Sequence, residues 1–68
     1  MKPLTAQQMA SLLNVRGWTL VRQRGSHMVF RRLEDGKAIV VPNHPGRTLT
    51  TGTQRRIMRD AGIEHDEI

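Results

Sequence analysis

His27 and His44 stand in a 68-residue chain that carries nine Arg, two Lys and no Cys. A histidine moves protons near neutral pH, and an arginine grips phosphate with two N–H groups at once. Together they are the parts needed to cut RNA without a metal. In that reaction the substrate's own 2′-hydroxyl is the nucleophile, so the protein supplies only a base, an acid and cations around the phosphorane. His27 follows Gly25-Ser26 in a strand-like stretch, where alternation sets it with Val29 and Arg31 and opposite Met28 and Phe30. If Met28 and Phe30 are core, His27 lies on an open face among arginines. The blander reading is a solvent-facing strand residue with no role. His44, between Asn43 and Pro45, reads as a turn residue, a phosphate contact or a second proton-transfer group. His65 sits in an acidic segment and reads as a surface residue.

Other chemistries find no residues to carry them. The chain has no HExxH, no thiol, no paired core carboxylates and no Gly-rich phosphate loop. Glu34 and Asp35 belong to a hairpin signal and cannot form a Mg²⁺ cage. Ser26 beside His27 is a weak nucleophile signal, because neighbours on a strand face opposite ways. Neither a metal nor a cofactor is expected. The two large aromatics, Trp18 and Phe30, fall at core positions, so base stacking on aromatic rings is not the expected mode of binding. Contacts should go to phosphate and sugar instead.

Charge supports that expectation. The whole chain carries +5, but residues 1–59 hold all eleven bases against only Glu34 and Asp35, a net of +9. Four acids, Asp60, Glu64, Asp66 and Glu67, lie behind this basic body, and 64–68 reads as an acidic tail. Arg22, Arg24, Arg31, Lys37 and Arg47 are the candidate phosphate contacts. The competing reading is a merely solvated charged surface, but +9 is a large field for solubility alone.

The elements that must position these groups are legible. Thr5 and Gln8 have the spacing of a capping box, with Leu4 and Met9 placed as a hydrophobic staple. Met9, Leu12 and Leu13, with Ala6 and Ala10 beside them, form a helical stripe that Gly17 can stop. Strands are expected over Trp18–Gln23, His27–Leu33 and Lys37–Val41, with Asp35-Gly36 as the second turn and Pro42 as a stop. After the polar loop Asn43–Thr50, Thr51 is expected to cap a second helix with Gln54 three residues on. Ile57, Met58 and Ala61 should face the core, and Gly62-Ile63 should make a Schellman-type end. The order is α-β-β-β-α in one domain over 1–68: an α+β fold whose three-stranded antiparallel sheet carries two helices on one face. That layout is like double-stranded-RNA-binding folds. No apolar run is long enough to span a bilayer and no secretory segment is visible, so a cytoplasmic protein is expected.

Gly17-Trp18 before the first strand, Gly25-Ser26-His27 with Phe30 three further on, and Pro42-x-His44 together resemble the HicA (YcfA-like) toxin family. So does Gly52-Thr53 opening a helix that ends Ile57-x-x-x-Ala61-Gly62-Ile63. The likeness runs from about Leu4 to Ile63. It implies a small mRNA interferase with a double-stranded-RNA-binding-like fold, an endoribonuclease held inactive by a HicB-type antitoxin. It also implies that His27 is the catalytic histidine and that Gly25, with Ser26, shapes the turn presenting it. Members often carry Lys in the loop before Gly-Thr; here the stretch is Arg47-Thr48-Leu49-Thr50-Thr51, so phosphate contacts from that loop rest on Arg47. The alternatives left open are a non-catalytic double-stranded-RNA-binding module and a basic surface that docks an acidic protein.

Overall fold

The computed structural model describes residues 2–64. His65, Asp66 and Glu67, and with them most of the acidic tail expected at 64–68, lie outside the described residues.

Local hydrogen bonding starts the first helix, α1 (Ala6–Val15). The Thr5 hydroxyl accepts from the Gln8 N–H at 3.1 Å, and the Gln8 side chain accepts from the Thr5 N–H at 2.9 Å. Two otherwise orphaned donors are satisfied at once. The helix buries Ala6, Met9 and Leu13, while Leu12 packs at the margin of the core.

The sheet is a meander in the order β1 (Trp18–Arg24), β2 (His27–Arg32) and β3 (Ala38–Pro42), antiparallel throughout. The first two strands start at Trp18 and His27 as expected, while their ends and both bounds of β3 shift by one residue, and pairing explains why. Arg24 pairs with His27, leaving Gly25-Ser26 as a two-residue loop. At the other end the Arg32 N–H donates to the Lys37 carbonyl at 3.0 Å, closing a four-residue loop, Leu33 to Gly36, where Asp35-Gly36 alone was expected to turn. Met28, Phe30, Ile39 and Val41 point into the core from β2 and β3. They meet Met9 and Leu13 of α1 and, from the second helix α2 (Thr51–Ala61), Ile57, Met58 and Ala61. Both helices thus cover one face of the sheet, and the other remains open.

One expected cap is corrected. The cap of α2 is Thr50, not Thr51: its hydroxyl accepts from the Thr53 N–H at 3.3 Å. Gln54 therefore sits one position too deep to complete a capping box. It turns inward instead and is buried, its amide accepting from the Leu4 N–H at 2.8 Å and donating to the Lys2 carbonyl at 2.6 Å. A Leu49 N–H bond to the Leu4 carbonyl, 2.7 Å, joins the same seam. Buried polar groups must be paired, and here the pairing ties the N-terminal segment to α2 across the core. The far end of α2 follows the expectation: Gly62 adopts φ +72°, and the Ile63 N–H reaches back to the Met58 carbonyl at 2.8 Å.

Candidate functional site

A single extra residue on β1 decides which side chains share a face with His27. Leu20 pairs with Phe30, but the next pair is Arg22 with Val29, so Val21 is bulged out of the ladder. Had the ladder run unbroken from Leu20, Val21 would oppose Val29, Arg22 would oppose Met28 on the core side, and Gln23 would oppose His27. With the bulge, Arg22 opposes Val29 and Arg24 opposes His27.

The open face therefore carries three rungs of directly opposed residues. The first is Arg24, His27 and Pro42; the second is Arg22, Val29 and Val40; the third is Thr19, Arg31 and Ala38. His27, Arg22 and Arg24 are exposed and, with Val29 and Val40, line a shallow depression. Among the described residues neither the Arg22 nor the Arg24 side chain has a carboxylate or hydrogen-bond partner. The turn before His27 is tight. Gly25 has φ +57° while Ser26 has a negative φ, the sign pattern of a type II′ turn. The Ser26 carbonyl accepts from the Asn43 N–H, which holds this turn against the end of β3.

The other candidate residues are spread more widely. Arg31 shares the open face, but it lies four residues along β2 from His27, roughly 13 Å at the rise of a strand. Its guanidinium donates to the Gly36 carbonyl at 2.8 Å. Lys37 is at the opposite end of the sheet, in a recess lined also by Trp18, Arg59 and Asp60. His44 and Arg47 line a separate depression with Thr48, Thr50 and Thr53 at the start of α2. Pro42 borders that depression and also stands opposite His27. So the structure joins His27, Arg22 and Arg24, sets His44 and Arg47 on the adjoining surface, and separates Arg31 and Lys37 from both.

Sequence reasoning passed over the bulge, although a signal for it exists. Trp18, Leu20, Arg22 and Arg24 fall on alternate positions, which an unbroken strand would put on one face. Two apolar residues followed by two cations at that spacing call for a change of parity between them. The apolar pair Val29 and Val40 beside His27 was likewise passed over.

The hairpin end of the sheet is built differently. Arg32 makes a two-pronged pair with Asp35, at 2.6 and 3.3 Å, and its guanidinium lies 4.7 Å from the centre of the Trp18 ring. The Asp35 carboxyl is drawn down to about 2, first by the hydrogen bond from Arg32 and then by the Lys37 N–H. Among the described residues no three His, Cys, Asp or Glu side chains gather where they could hold a metal ion, and no helix is long and apolar enough to cross a membrane.

A comparison with curated proteins returns no match. The family described as the HicA toxin of bacterial toxin–antitoxin systems matches residues 6–63, a span that takes in every helix and strand of the described residues.

Proposed function

Because the chain belongs to the HicA toxin family, we propose that it is a metal-independent endoribonuclease, an mRNA interferase that acts in the cytoplasm and is neutralised by a HicB-type antitoxin. The observation that carries this reading is the shared face of His27, Arg22 and Arg24, an exposed proton carrier flanked by two cations with no acid beside them among the described residues.

Transesterification needs two proton transfers. The 2′-hydroxyl loses its proton as its oxygen attacks phosphorus, and the 5′-oxygen gains one as the P–O bond breaks, leaving a 2′,3′-cyclic phosphate and a free 5′-hydroxyl. His27 serves one of these transfers. Arg22 and Arg24 hold the non-bridging oxygens, where negative charge builds in the transition state. His44 is the candidate for the second transfer, across Pro42, and Arg47 beside it grips a neighbouring phosphate. Arg31 and Lys37 extend the cationic field along the strand, away from the reacting bond. Gly25 and Ser26 shape the tight turn that sets His27 at the start of its strand.

Purified protein and its His27→Ala variant, incubated with a labelled transcript in the presence of a chelator, test this directly. Wild type should cleave and the variant should not. Undiminished cleavage by the variant would remove His27 from the mechanism. Loss of wild-type cleavage in EDTA would bring in a metal. Tight duplex binding with no cleavage by either protein would favour a non-catalytic double-stranded-RNA-binding module.

A further inference from the structure

Between the rung that holds His27 and the rung that holds Arg31, the open face presents two valines. Val29 and Val40 are directly paired across β2 and β3. Opposed residues on one face have Cβ atoms about 4.5–5.5 Å apart, so the two isopropyl groups form one continuous apolar step. Val40 is 41% exposed and Val29 half-buried. The step adjoins His27 in the same depression, with Arg22 and Arg24 along its β1 side. An apolar floor framed by cations suits a ligand that alternates anionic and flat apolar parts. A polynucleotide is such a ligand.

We propose that the Val29–Val40 step is a nucleoside subsite, receiving the flat face of one unpaired base next to the scissile phosphate of a single-stranded RNA. The proposal rests on the reading of His27, Arg22 and Arg24 as the cleavage centre and adds the class of substrate that centre accepts. Neighbouring rungs on one face are two residues apart, roughly 6.6 Å along the strand. That spacing is close to one phosphodiester step of an extended chain. A phosphate at the His27 rung, held by Arg22 and Arg24, therefore sets the next nucleoside over the valines. In a duplex the base faces are stacked and hidden, and only an unpaired nucleotide can lay one on a protein surface. An aliphatic floor makes no directional contacts with base edges, so it positions a base without selecting its identity.

The probe is a short single-stranded oligonucleotide with methylated 2′-oxygens, which wild-type protein binds but cannot cut. A matching set carries one abasic ribose at each position in turn. Val40→Thr keeps the shape and strand preference of valine and replaces a methyl with a hydroxyl. Because a buried methylene is worth about a fourfold change in affinity, Val40→Thr should weaken binding of the intact oligonucleotide about three- to fivefold. One abasic position should abolish the difference between wild type and variant, and binding of a duplex of the same sequence should be unchanged. With cleavable RNA the variant should raise KM or scatter the cleavage sites.

Equal affinity of wild type and Val40→Thr for the intact strand overturns the subsite. So does an equal loss on every abasic probe, or on the duplex. Loss of binding to a protein partner with RNA affinity untouched would assign the valines to that partner instead. Failure of the cleavage centre itself reads separately: Arg22→Ala and Arg24→Ala would then leave RNA binding unchanged, or His27→Ala would go on cutting.

Discussion

The two ends of the sheet use the same kind of residue in opposite ways. At the hairpin end, Arg32 is held by Asp35 in front and by the Trp18 ring beneath, and Arg31 reaches to the Gly36 carbonyl. At the Gly25-Ser26 end, Arg22 and Arg24 stand exposed beside His27 with no acid near them in the ladder. A carboxylate within hydrogen-bond reach turns a cation into part of the scaffold; without one, the charge is left to act on whatever approaches. The difference teaches that the +9 of residues 1–59 is not one uniform field. Part of it is neutralised locally to hold a loop, and among the described residues the part beside the exposed histidine is not.

The sharpest way to break this contrast is at His27. His27→Ala should lower the rate of RNA cleavage by at least 10²-fold, the ordinary scale for a lost general acid or base. Its thermal midpoint, followed by circular dichroism, should stay close to wild type, because the His27 side chain is exposed and makes no hydrogen bond among the described residues. A large fall in stability together with activity would return His27 to a structural role.

Next comes a direct comparison of the arginines. Arg22→Ala with Arg24→Ala should weaken single-stranded RNA binding and flatten its salt dependence. For two lost phosphate contacts the log–log slope should fall by about 1.4, at roughly 0.7 per phosphate on a single strand. Arg32→Ala should leave that slope alone and lower the thermal midpoint instead, since it uncovers Trp18 and releases Asp35. If Arg32→Ala changed the slope as much as the double variant, the two ends would not differ in the way their geometry implies.

A smaller effect is expected at the turn. Gly25 has φ +57°, where a side chain is strained, and no atom crowds a Cβ built there. Gly25→Ala should therefore cost about 1–2 kcal/mol of stability through backbone strain alone, measured by chemical denaturation. Cleavage should fall further than that loss predicts, because the turn fixes where His27 starts its strand.

How much of this was legible in the sequence follows from the reach of each interaction. The Thr5–Gln8 box and the Gly62–Ile63 helix end are closed within a few residues, and both stand as read. The inward face of β2 also stands, since alternation of Met28 and Phe30 needs no partner to be seen. Gln54 reads locally as a capping residue because its true partners, Lys2 and Leu4, lie about fifty residues away and no local pattern announces them. The cap moved by one residue for the same reason: Thr50 and Thr51 are equivalent locally, and only the inward turn of Gln54 separates them. Arg22 and Arg24 were grouped with Lys37 and Arg47 by charge alone. Lys37 lies at the far end of the sheet and Arg47 in the loop before α2, while the parity change at Val21 sets Arg22 and Arg24 beside His27.

The gentlest test concerns acid. The Asp35 carboxyl, at about 2, lies below its ordinary value of 3.8, so across that interval the unfolded chain binds the proton more readily than the folded one. Stability therefore rises with pH through the window. The contribution of the Arg32–Asp35 pair is complete above about pH 4 and disappears as pH falls through 2. The comparison of wild type with Asp35→Asn isolates this carboxylate from the others. The variant should be slightly less stable at neutral pH and should show a shallower loss between pH 4 and 2 in urea titrations. Its RNA cleavage at neutral pH should match wild type, because Asp35 sits at the end of the sheet away from His27. Asp35→Asn cleavage as poor as that of the Arg22 and Arg24 variants would mean that the ion pair at one end sets the geometry at the other, and that the two ends act as a single unit.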